Sequence, residues 1–417
     1  MNQQLTIGLI GFGVVGEGVY HVLQNTPSLG ATIKKIAIRH PEKKRNAPSA
    51  LFTTDLFEIL NDEEINVVVE LIDDAEIAFQ IVQTALSTKK HVVSANKKMI
   101  ALHLPELIEL QRTNKVSFLY EAAVCGSIPI IRNLEEYFDN DLLNAISGIV
   151  NGSTNFILTK MDEQKLSFEE ALKLAQEKGF AESNPALDVE GKDAVNKLCI
   201  LLKHTFGINT LPYEILHKGI TQITSNDANY ATEKGYKIKL LANAIRISED
   251  EVVSYVLPRF LKDDHPLARV HNEYNGVLLS SSLADEQFLY GKGAGRYPTS
   301  SAVLSDLSAL RYGYAYEYKK SGTGKTYTLN TDFLLKVYVG FPEDEAVNLS
   351  DFETIHERYI SNNEQYIIGT ITLEKLIHAT WTQSPDVSII ELNEETDLRK
   401  ADFLYEEKIE QLEEALT

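Results

Sequence analysis

The sequence predicts an α/β protein with three parts: an N-terminal Rossmann-type dinucleotide-binding domain, an α+β substrate domain, and a small C-terminal α+β module. Three observations support this prediction. Short β-branched runs alternate with longer helical patterns over residues 1–150, which is typical of a parallel sheet covered by helices. A glycine-rich turn follows the first of these runs. The charge is also uneven, because residues 331–417 hold 20 acids and 6 bases, which is −14 of the net −20.

The dinucleotide-binding domain is assigned to residues 1–145 and is completed by residues 290–317. Its strands are expected where apolar runs are bounded by turn residues, at Leu5–Ile10, Ile33–Arg39, Val67–Ile72, His91–Ala95 and Val116–Tyr120. Helical periodicity predicts the helices between them, at Val14–Gln24, Asp55–Asn61, Ala75–Thr88 and Lys98–Asn114.

The substrate domain is assigned to residues 146–317. Strands are expected at Ile146–Val150, Val252–Phe260, Gly276–Ser282 and Gln287–Tyr290. Helices are expected at Thr154–Asp162, Ser167–Lys178, Lys192–His204, Tyr236–Ala244 and Ser300–Tyr312. The second helix has clear ends, since Ser167 and Glu170 form a capping box and Gly179 suits the left-handed position after the last turn.

Residues 318–417 are expected to hold a linker, Tyr318–Lys325, and the C-terminal module. The strands of this module are predicted at Phe333–Val339, Ile367–Thr372 and Val387–Glu391. Its helices are predicted at Asp351–Ser361, Thr372–Thr380 and, as an acidic segment, Asp402–Leu416.

The composition excludes several classes of protein. With 44% hydrophobic and 24% charged residues the chain is neither disordered nor collagen-like. No apolar run approaches the roughly 18 residues of a membrane span, and no signal peptide is evident. Two cysteines cannot build a disulfide framework, and an acidic chain without a basic stripe argues against a nucleic-acid partner. We expect a cytoplasmic protein with no membrane partner.

Two glycine-rich segments predict close contact between backbone and ligand. The Gly11–Gly16 turn holds three glycines, separated by Phe12, Val14 and Val15. Gly11 permits the tight turn, Gly13 lets the backbone approach a pyrophosphate, and Gly16 allows close helix–strand packing. The alternative is a tight turn that merely uses glycine. The second segment, Gly291–Gly295, also precedes a helix, but a plain loop is equally compatible with it.

The end of the second strand favours NADP over NAD, although NAD stays possible. NAD enzymes usually carry an acid there for the ribose 2′-hydroxyl, whereas this chain has Arg39, followed by Lys43 and Lys44. A guanidinium can pair with a 2′-phosphate. The alternative is a solvated loop.

Two further strand ends carry charged residues. Ligands in such sheets bind beyond the carboxyl ends of the strands, so Lys97, close after Ser94, could hold a carboxylate or polarise a carbonyl. Glu121 stands among small residues before Gly126 and Pro129 and could bind a hard cation through oxygen. The alternatives are a solvated lysine turn and a glutamate satisfied by a helix start.

Residues 179–197 form the segment richest in candidate catalytic groups. Glu182, Asp188 and Glu190 precede a helix on which Asp193 and Lys197, four residues apart, share one face. A lysine near a bound carbonyl can donate a proton while hydride arrives, and the aspartate can orient it. The alternative is an exposed ion pair of little energetic consequence.

Taken together, these segments resemble the homoserine dehydrogenase family. The resemblance covers about residues 5–315 and rests on motifs that occur in the family's order: GLIGFGVVGEGV, SANKKMIA, YEAAVCGSIPII, GIVNGSTNFIL, GFAESNPALDVEGKDAVNKLCIL, KGYKIKLLA and YGKGAGRYPTSSAVLSDL. It implies reduction of L-aspartate 4-semialdehyde to L-homoserine with NAD(P)H, in threonine and methionine biosynthesis. It also implies a homodimer or homotetramer in which the domain at residues 146–317 serves both substrate binding and dimerisation.

The resemblance also implies roles for single residues. Lys197 would be the proton donor, Asp193 would position the substrate or a water, and Lys97 would lie near substrate and nicotinamide. The other implied contacts are grouped by ligand: the substrate with Glu182, Asp188, Gly152 and Thr154, the dinucleotide with Gly11–Gly16, Arg39, Ser94, Lys97 and Gly295, and a monovalent cation, usually sodium, with Glu121 and the carbonyls of Val124, Gly126 and Ile128. Because oxidation needs a neutral lysine, we expect faster homoserine oxidation at alkaline pH.

The chain departs from the family in three places. Asp73 and Asp74 replace a frequent Gly-Gly pair near the expected cofactor, and Asn184 replaces a usual aspartate. The tail resembles an ACT domain but lacks the usual Pro-Gly turn, having residues 341–345 (FPEDE) instead. We therefore expect this module to support assembly rather than threonine sensing. Two alternatives stay open: a dehydrogenase acting on another amino-acid aldehyde or amine, and a non-catalytic nucleotide- or amino-acid-binding regulator.

Overall fold

The computed structural model describes residues 4–139, 142–322, 326–342, 346–361 and 365–392. The chain divides into two compact units. The first comprises residues 1–139, 199–204 and 291–319, and the second comprises residues 140–198, 205–290 and 320–417. The predicted helix Asp402–Leu416, residues 343–345 of the FPEDE turn and the end of the predicted linker, residues 323–325, lie outside the described residues.

In chain order, the strands β1 to β17 are Leu5–Ile10, Ala31–Ala37, Phe52–Thr53, Val67–Glu70, His91–Ser94, Phe118–Leu119, Leu143–Ile149, Leu216–His217, Tyr236–Arg246, Glu251–Lys262, Tyr274–Ser281, Asp285–Lys292, Thr328–Leu329, Leu334–Phe341, Thr354–Ile360, Gln365–Thr372 and Ser388–Glu391. The α-helices, α1 to α12, are Val14–Asn25, Phe57–Leu60, Ala75–Ser87, Lys97–Asn114, Ile130–Arg132, Gly152–Gln164, Phe168–Glu177, Ala186–Val189, Lys192–Phe206, Ser225–Lys234, Arg296–Leu310 and Leu373–His378.

The first unit contains a six-stranded parallel sheet with the order β3-β2-β1-β4-β5-β6. Strand order reverses at β1, so the carboxyl ends of β1 and β4 flank the crevice where doubly wound sheets bind ligands. The four residues of β4 are all buried, as expected for a central parallel strand covered on both faces. The predicted Rossmann-type sheet is therefore confirmed.

The second unit contains an eleven-stranded sheet. Its main path is β12-β11-β7-β9-β10-β17-β14-β16-β15, and the two-residue strands β8 and β13 also pair with β10. One hydrophobic core joins Val253 and Leu257 of β10 to Val337 and Val339 of β14. Strands on both sides of residue 318 thus share one sheet and one core, and the domain boundary proposed there stays a prediction.

The predicted helix at Tyr236–Ala244 is wrong, because these residues form the long strand β9. This strand pairs with both β7 and β10 and is buried from Ile238 to Arg246. Leu240, Leu241, Ala242 and Ala244 favour a helix by intrinsic propensity, but pairing on both sides of the strand overrides this preference. The preceding Gly235, at φ +72°, ends helix α10, which the sequence pattern did not predict.

The predicted helix at Asp351–Ser361 is also wrong. Residues Thr354–Ile360 form strand β15, which pairs antiparallel with β16 at the edge of the sheet. All seven residues of β15 are exposed, so the segment has no buried stripe that would identify it as a strand. The β-branched Thr354, Ile355 and Ile360 favour the extended state.

The capping box predicted for α7 is confirmed, since the Ser167 hydroxyl accepts from the Glu170 N–H and the Glu170 carboxylate accepts from the Ser167 N–H. Gly179 follows at φ +76°. Among the described residues, no helix combines the length and the apolar character that a membrane crossing requires.

Candidate functional site

The glycine-rich turn joins β1 to α1 in the first unit. A Cβ added at Gly16 would lie 2.2 Å from the Gly11 carbonyl oxygen, whereas a Cβ added at Gly13 would meet nothing within 4 Å. Gly16 therefore permits the close turn, and Gly13 leaves open space beside the N-terminus of α1. Backbone N–H groups at a helix N-terminus favour phosphate there. The arrangement suits a dinucleotide pyrophosphate.

Two other predicted cofactor residues lie at helix or strand ends of the same unit. Arg39 is exposed and lies two residues beyond the end of β2, which stops at Ala37 rather than at Arg39. Gly295, at φ +114°, is the N-cap of α11, which packs against α1 through contact of Ser300 with Gly18. An exposed guanidinium at the end of β2 is accessible to a 2′-phosphate.

The carboxyl ends of β4 and β5 are joined by a buried network that the sequence pattern did not predict. The Ser94 hydroxyl donates to Glu70 Oε2 at 2.5 Å, and the Ile72 N–H donates to Glu70 Oε1 at 2.7 Å. Burial raises the pKa of Glu70 to about 7. Asn96 caps α4 and also donates to the Ile72 carbonyl, so Lys97 begins a helix whose start is tied to β4.

Glu121 lies in a second buried acidic site of the first unit. Its carboxylate accepts from the Ile131 and Arg132 N–H groups, and its own N–H donates to Asp306 at 3.0 Å. Burial, together with the Asp306 carboxylate, raises the pKa of Glu121 to about 8, and burial raises the pKa of Asp306 to about 7. The Arg132 guanidinium offsets part of this charge at 3.2 Å from Asp306.

The predicted cation ligands follow Glu121 closely. Val124, Gly126 and Ile128 are buried or nearly so, and both Cys125 and Gly126 adopt positive φ, at +56° and +53°. The described residues include no group of three or more His, Cys, Asp or Glu side chains able to hold a metal. A carboxylate with neighbouring carbonyls is a donor set suited to a hard cation rather than to zinc.

Asp193 and Lys197 form a buried pair in the second unit. Asp193 lies in the first turn of α9 and Lys197 one turn later, with Nζ 2.6 Å from Asp193 Oδ2. The side chains are only 4% and 10% exposed, respectively. Lys197 Nζ also donates to the Val150 carbonyl at 2.7 Å. The alternative of an exposed ion pair is therefore excluded.

Asn151, which the sequence pattern did not single out, joins this pair to Asp188. Its Nδ2 donates to Asp188 Oδ1 at 2.7 Å and to Asp193 Oδ2 at 2.8 Å. The available signal was an Asn before Gly-Ser-Thr at a strand-to-helix junction, which indicates an N-cap. Local pattern alone could not show what its amide nitrogen contacts.

The remaining predicted substrate residues are distributed around this cluster. Thr154 is buried and donates both its N–H and its hydroxyl to Asn151. Gly152 lies so close to the Glu273 carbonyl oxygen that an added Cβ would be 2.6 Å from it. Glu182 is exposed in the segment between α7 and α8, where its carboxylate is accessible to a ligand.

Family models match most of this chain. A model described as the homoserine dehydrogenase NAD-binding domain matches residues 11–121, and one described as homoserine dehydrogenase matches residues 129–308. The homoserine dehydrogenase of Bacillus subtilis is 41% identical over 317 residues, covering 74% of this chain and 73% of that protein. The chain belongs to the homoserine dehydrogenase family.

Other similar proteins are also homoserine dehydrogenases. The homoserine dehydrogenase of Synechocystis is 40% identical over 72% of each chain. The crystal structure of the Thiobacillus denitrificans homoserine dehydrogenase is similar with a TM-score of 0.81 at 30% identity, covering 94% of this chain and 99% of that chain. The Staphylococcus aureus enzyme at pH 6.5 has a TM-score of 0.72, also at 30% identity and with the same coverage.

Membership confirms the resemblance drawn from the sequence motifs. The chain is an oxidoreductase of amino-acid biosynthesis with homoserine dehydrogenase activity and an NAD-binding domain. A non-catalytic regulator with the same fold is not favoured. The homoserine dehydrogenase likeness extends to structures that span 94% of this chain, beyond the region that the family models match.

Proposed function

We propose that this chain catalyses the reversible NAD(P)H-dependent reduction of L-aspartate 4-semialdehyde to L-homoserine with Lys197 as the proton donor. The contacts of its ammonium group support this role. Two of its three N–H groups bind Asp193 and the Val150 carbonyl, and the third can be given to an aldehyde oxygen.

Lys197 acts on the aldehyde oxygen, where negative charge develops during the reaction. Bound NAD(P)H supplies the hydride, and negative charge then forms on the aldehyde oxygen. Lys197 stabilises this charge and transfers its proton to the oxygen. Asp193 fixes the direction of Nζ and, as a carboxylate, compensates the positive charge within a buried site.

The substrate residues are proposed on the same basis. The exposed Glu182 carboxylate would bind the substrate's α-ammonium group, with Asp188 beside it. Gly152 and Thr154 would line the substrate through the start of α6. Lys97, at the start of α4, would lie near substrate and nicotinamide.

For the cofactor we propose NADP in preference to NAD. Arg39 would pair with the 2′-phosphate, and the Gly11–Gly16 turn, including Phe12, Val14 and Val15, would hold the pyrophosphate. Ser94 and Gly295 would complete the contacts with the dinucleotide.

A monovalent cation, sodium in the first place, is proposed at Glu121 with the carbonyls of Val124, Gly126 and Ile128. Burial and the neighbouring Asp306 carboxylate raise the pKa of Glu121 and so disfavour its ionised form. A cation beside Glu121 would favour the ionised carboxylate.

We propose that the C-terminal strands form a degenerate ACT-like module that supports a homodimer or homotetramer. The order β17-β14-β16-β15 with one helix, α12, between β16 and β17 supports this proposal. Strand β15 follows β14 with only the short 3-10 turn Leu349–Asp351 described between them. Calorimetry showing micromolar threonine binding would contradict a purely assembling role. The cytoplasmic location stays a prediction.

The activity is tested with purified protein, homoserine and either NADP or NAD at alkaline pH, following the absorbance of the reduced nicotinamide. Wild-type protein should produce reduced nicotinamide, and should do so faster with NADP than with NAD. The Lys197→Ala variant should produce it orders of magnitude more slowly while still binding cofactor. No absorbance change with a folded protein supplied with sodium would contradict the proposal.

A further inference from the structure

We propose that Asn151 is a positioning residue, which orients the Asp193–Lys197 pair by holding the Asp188 and Asp193 carboxylates with a single amide nitrogen. This inference rests on the proposed role of Lys197. Asn151 itself would touch neither substrate nor cofactor, and its effect would reach the reaction through the direction in which Lys197 Nζ is held.

Each polar atom of the Asn151 side chain is used. The amide nitrogen has two N–H groups and donates one to Asp188 and one to Asp193. The amide oxygen accepts the Thr154 N–H at 2.8 Å and the Thr154 hydroxyl at 3.1 Å. The reversed amide would set its oxygen against two carboxylates and its nitrogen against a backbone donor, so only one orientation fits.

Residues 150 and 151 together contact both members of the catalytic pair. The Val150 carbonyl accepts from Lys197 Nζ, and Asn151 donates to the same Asp193 oxygen that receives Nζ. The junction between β7 and α6 therefore determines where Asp193 Oδ2 lies. Asn151 is 6% exposed, so water does not substitute readily for its amide.

A second asparagine holds this junction in place. Asn155, one turn into α6, donates to the carbonyls of Val270, Asn272 and Tyr274 and accepts from the buried Lys239 Nζ at 3.0 Å. Since Gly152 also lies against the Glu273 carbonyl, the start of α6 is packed closely against residues 270–274. A rigid support of this kind is what a site needs to hold reacting groups within a fraction of an ångström.

The alternative is that Asn151 serves only as the N-cap of α6. Ser and Asp are about as good as Asn at an N-cap, since both accept the N3 N–H. Neither offers the amide nitrogen that joins the two carboxylates. The variants Asn151→Ser and Asn151→Asp therefore keep the cap and remove the link, and Thr372→Ser, at the N-cap of α12, is the matched cap exchange away from the pair.

The experiment measures homoserine oxidation, NADP binding and the melting temperature of the full chain. Asn151→Ser should lower kcat about 10–100-fold, by analogy with the loss of a hydrogen-bond partner behind a metal ligand, with NADP affinity unchanged. Its melting temperature should fall only slightly, because the buried Asp193 loses one donor but keeps Lys197. In the Lys197→Ala background, Asn151→Ser should cause no further loss, because residues that act as a unit are not additive. Thr372→Ser should match wild type.

Asn151→Asp gives a readout that a cap alone would not move. The introduced carboxyl would face Asp188 and Asp193, with Lys197 as the nearest cation, so repulsion favours its protonated form. A protonated carboxyl can donate one hydrogen bond, so the kcat of this variant relative to wild type should rise as pH falls. The ratio for Asn151→Ser should stay flat.

The outcomes separate the two proposals. Wild-type kcat in Asn151→Ser, or the same fold-loss in the presence and absence of Lys197, would overturn the positioning role while leaving Lys197 as proton donor. A loss of kcat that disappears when the assay is run well below the melting temperature of the variant would assign Asn151 a purely structural role. Full turnover in Lys197→Ala would overturn both proposals.

Discussion

Asp193 and Lys197 lie one helical turn apart on α9 with 2.6 Å between Oδ2 and Nζ, and both side chains are at least nine-tenths buried. On an exposed helix such a pair contributes little to stability. Here each charge has been removed from water, so each depends on the other. The contact between Asp193 and Lys197 therefore affects both the stability of the fold and the orientation of the proton donor.

Removing one member of this pair should destabilise the protein strongly. We expect Asp193→Ala to lower the free energy of unfolding by about 3 kcal/mol, since Lys197 would stay buried without its carboxylate. The measurement is urea denaturation followed by circular dichroism. Asp193→Ala/Lys197→Met should be more stable than Asp193→Ala, because neither charge is then left alone.

The matched control for this measurement is an ion pair of similar spacing whose carboxylate is exposed. Lys160 and Glu163 lie 2.8 Å apart on α6, and the Glu163 side chain is 40% exposed. Glu163→Ala should change stability by less than about 0.5 kcal/mol. An equal effect of Asp193→Ala and Glu163→Ala would show that burial of the catalytic pair has no energetic consequence.

Two glycines of the β1–α1 turn should respond differently to the same substitution. Gly16→Ala would place Cβ 2.2 Å from the Gly11 carbonyl oxygen, and rigid backbone cannot yield, so we expect a loss of stability of about 2 kcal/mol. Gly13→Ala meets open space at φ −85°, which alanine accepts. It should leave the melting temperature unchanged and weaken NADP binding at least tenfold.

Cofactor titration by fluorescence and thermal denaturation of the two variants check this prediction. If Gly13→Ala bound NADP with wild-type affinity, the open space beside α1 would not be the pyrophosphate site. If Gly16→Ala were as stable as wild type, the close contact with Gly11 would not be needed for the turn.

Local sequence signals predicted the features that depend on neighbouring residues. Three features were predicted correctly: the bounds of β1, the position of the glycine-rich turn and the capping box of α7. Each depends only on residues that are close together in the sequence. Strand β9 was missed because its state is decided by strand pairing, with β10, which follows it as a hairpin, and with β7, which lies far back along the chain. The helix preference of its Leu and Ala residues is overridden by this pairing.

One part of the candidate site could likewise be predicted from the sequence, and another part could not. The helical spacing of Asp193 and Lys197 could be read directly from the sequence. The contacts of Asn151 with Asp188 and Asp193 span 37 and 42 residues, and no local pattern encodes them. The burial of Glu70 likewise depends on the sheet around it, since an acid at a strand end reads as a solvated residue until its neighbours are placed.

Glu70 should make stability depend on pH near neutrality. Burial raises its pKa from 4.5 to about 7, so between these values the folded state binds more protons than the unfolded state. Its contribution to stability is therefore present at low pH and is lost as pH rises towards 7. We expect the free energy of unfolding of wild type relative to Glu70→Gln to fall by up to about 3 kcal/mol from pH 4.5 to pH 7.

Urea titrations at several pH values test this prediction. Glu106→Gln, which changes an exposed acid on α4, is the control for the substitution itself. A constant difference between Glu70→Gln and wild type would show that Glu70 titrates alike in the folded and unfolded chain.

Lys239 should show the opposite dependence at higher pH. Burial lowers its pKa from 10.5 to about 8, so between these values the unfolded state binds more protons and stability rises with pH. Relative to Lys239→Met, wild type should gain up to about 2 kcal/mol between pH 8 and pH 9.5. Lys237→Met is the matched control on the same strand, because the Asp162 hydrogen bond raises the pKa of Lys237 beyond this window. Its difference from wild type should stay flat, and a flat difference for Lys239→Met would mean that the bonds to Asn155 and the Val270 carbonyl keep Lys239 charged in spite of its burial.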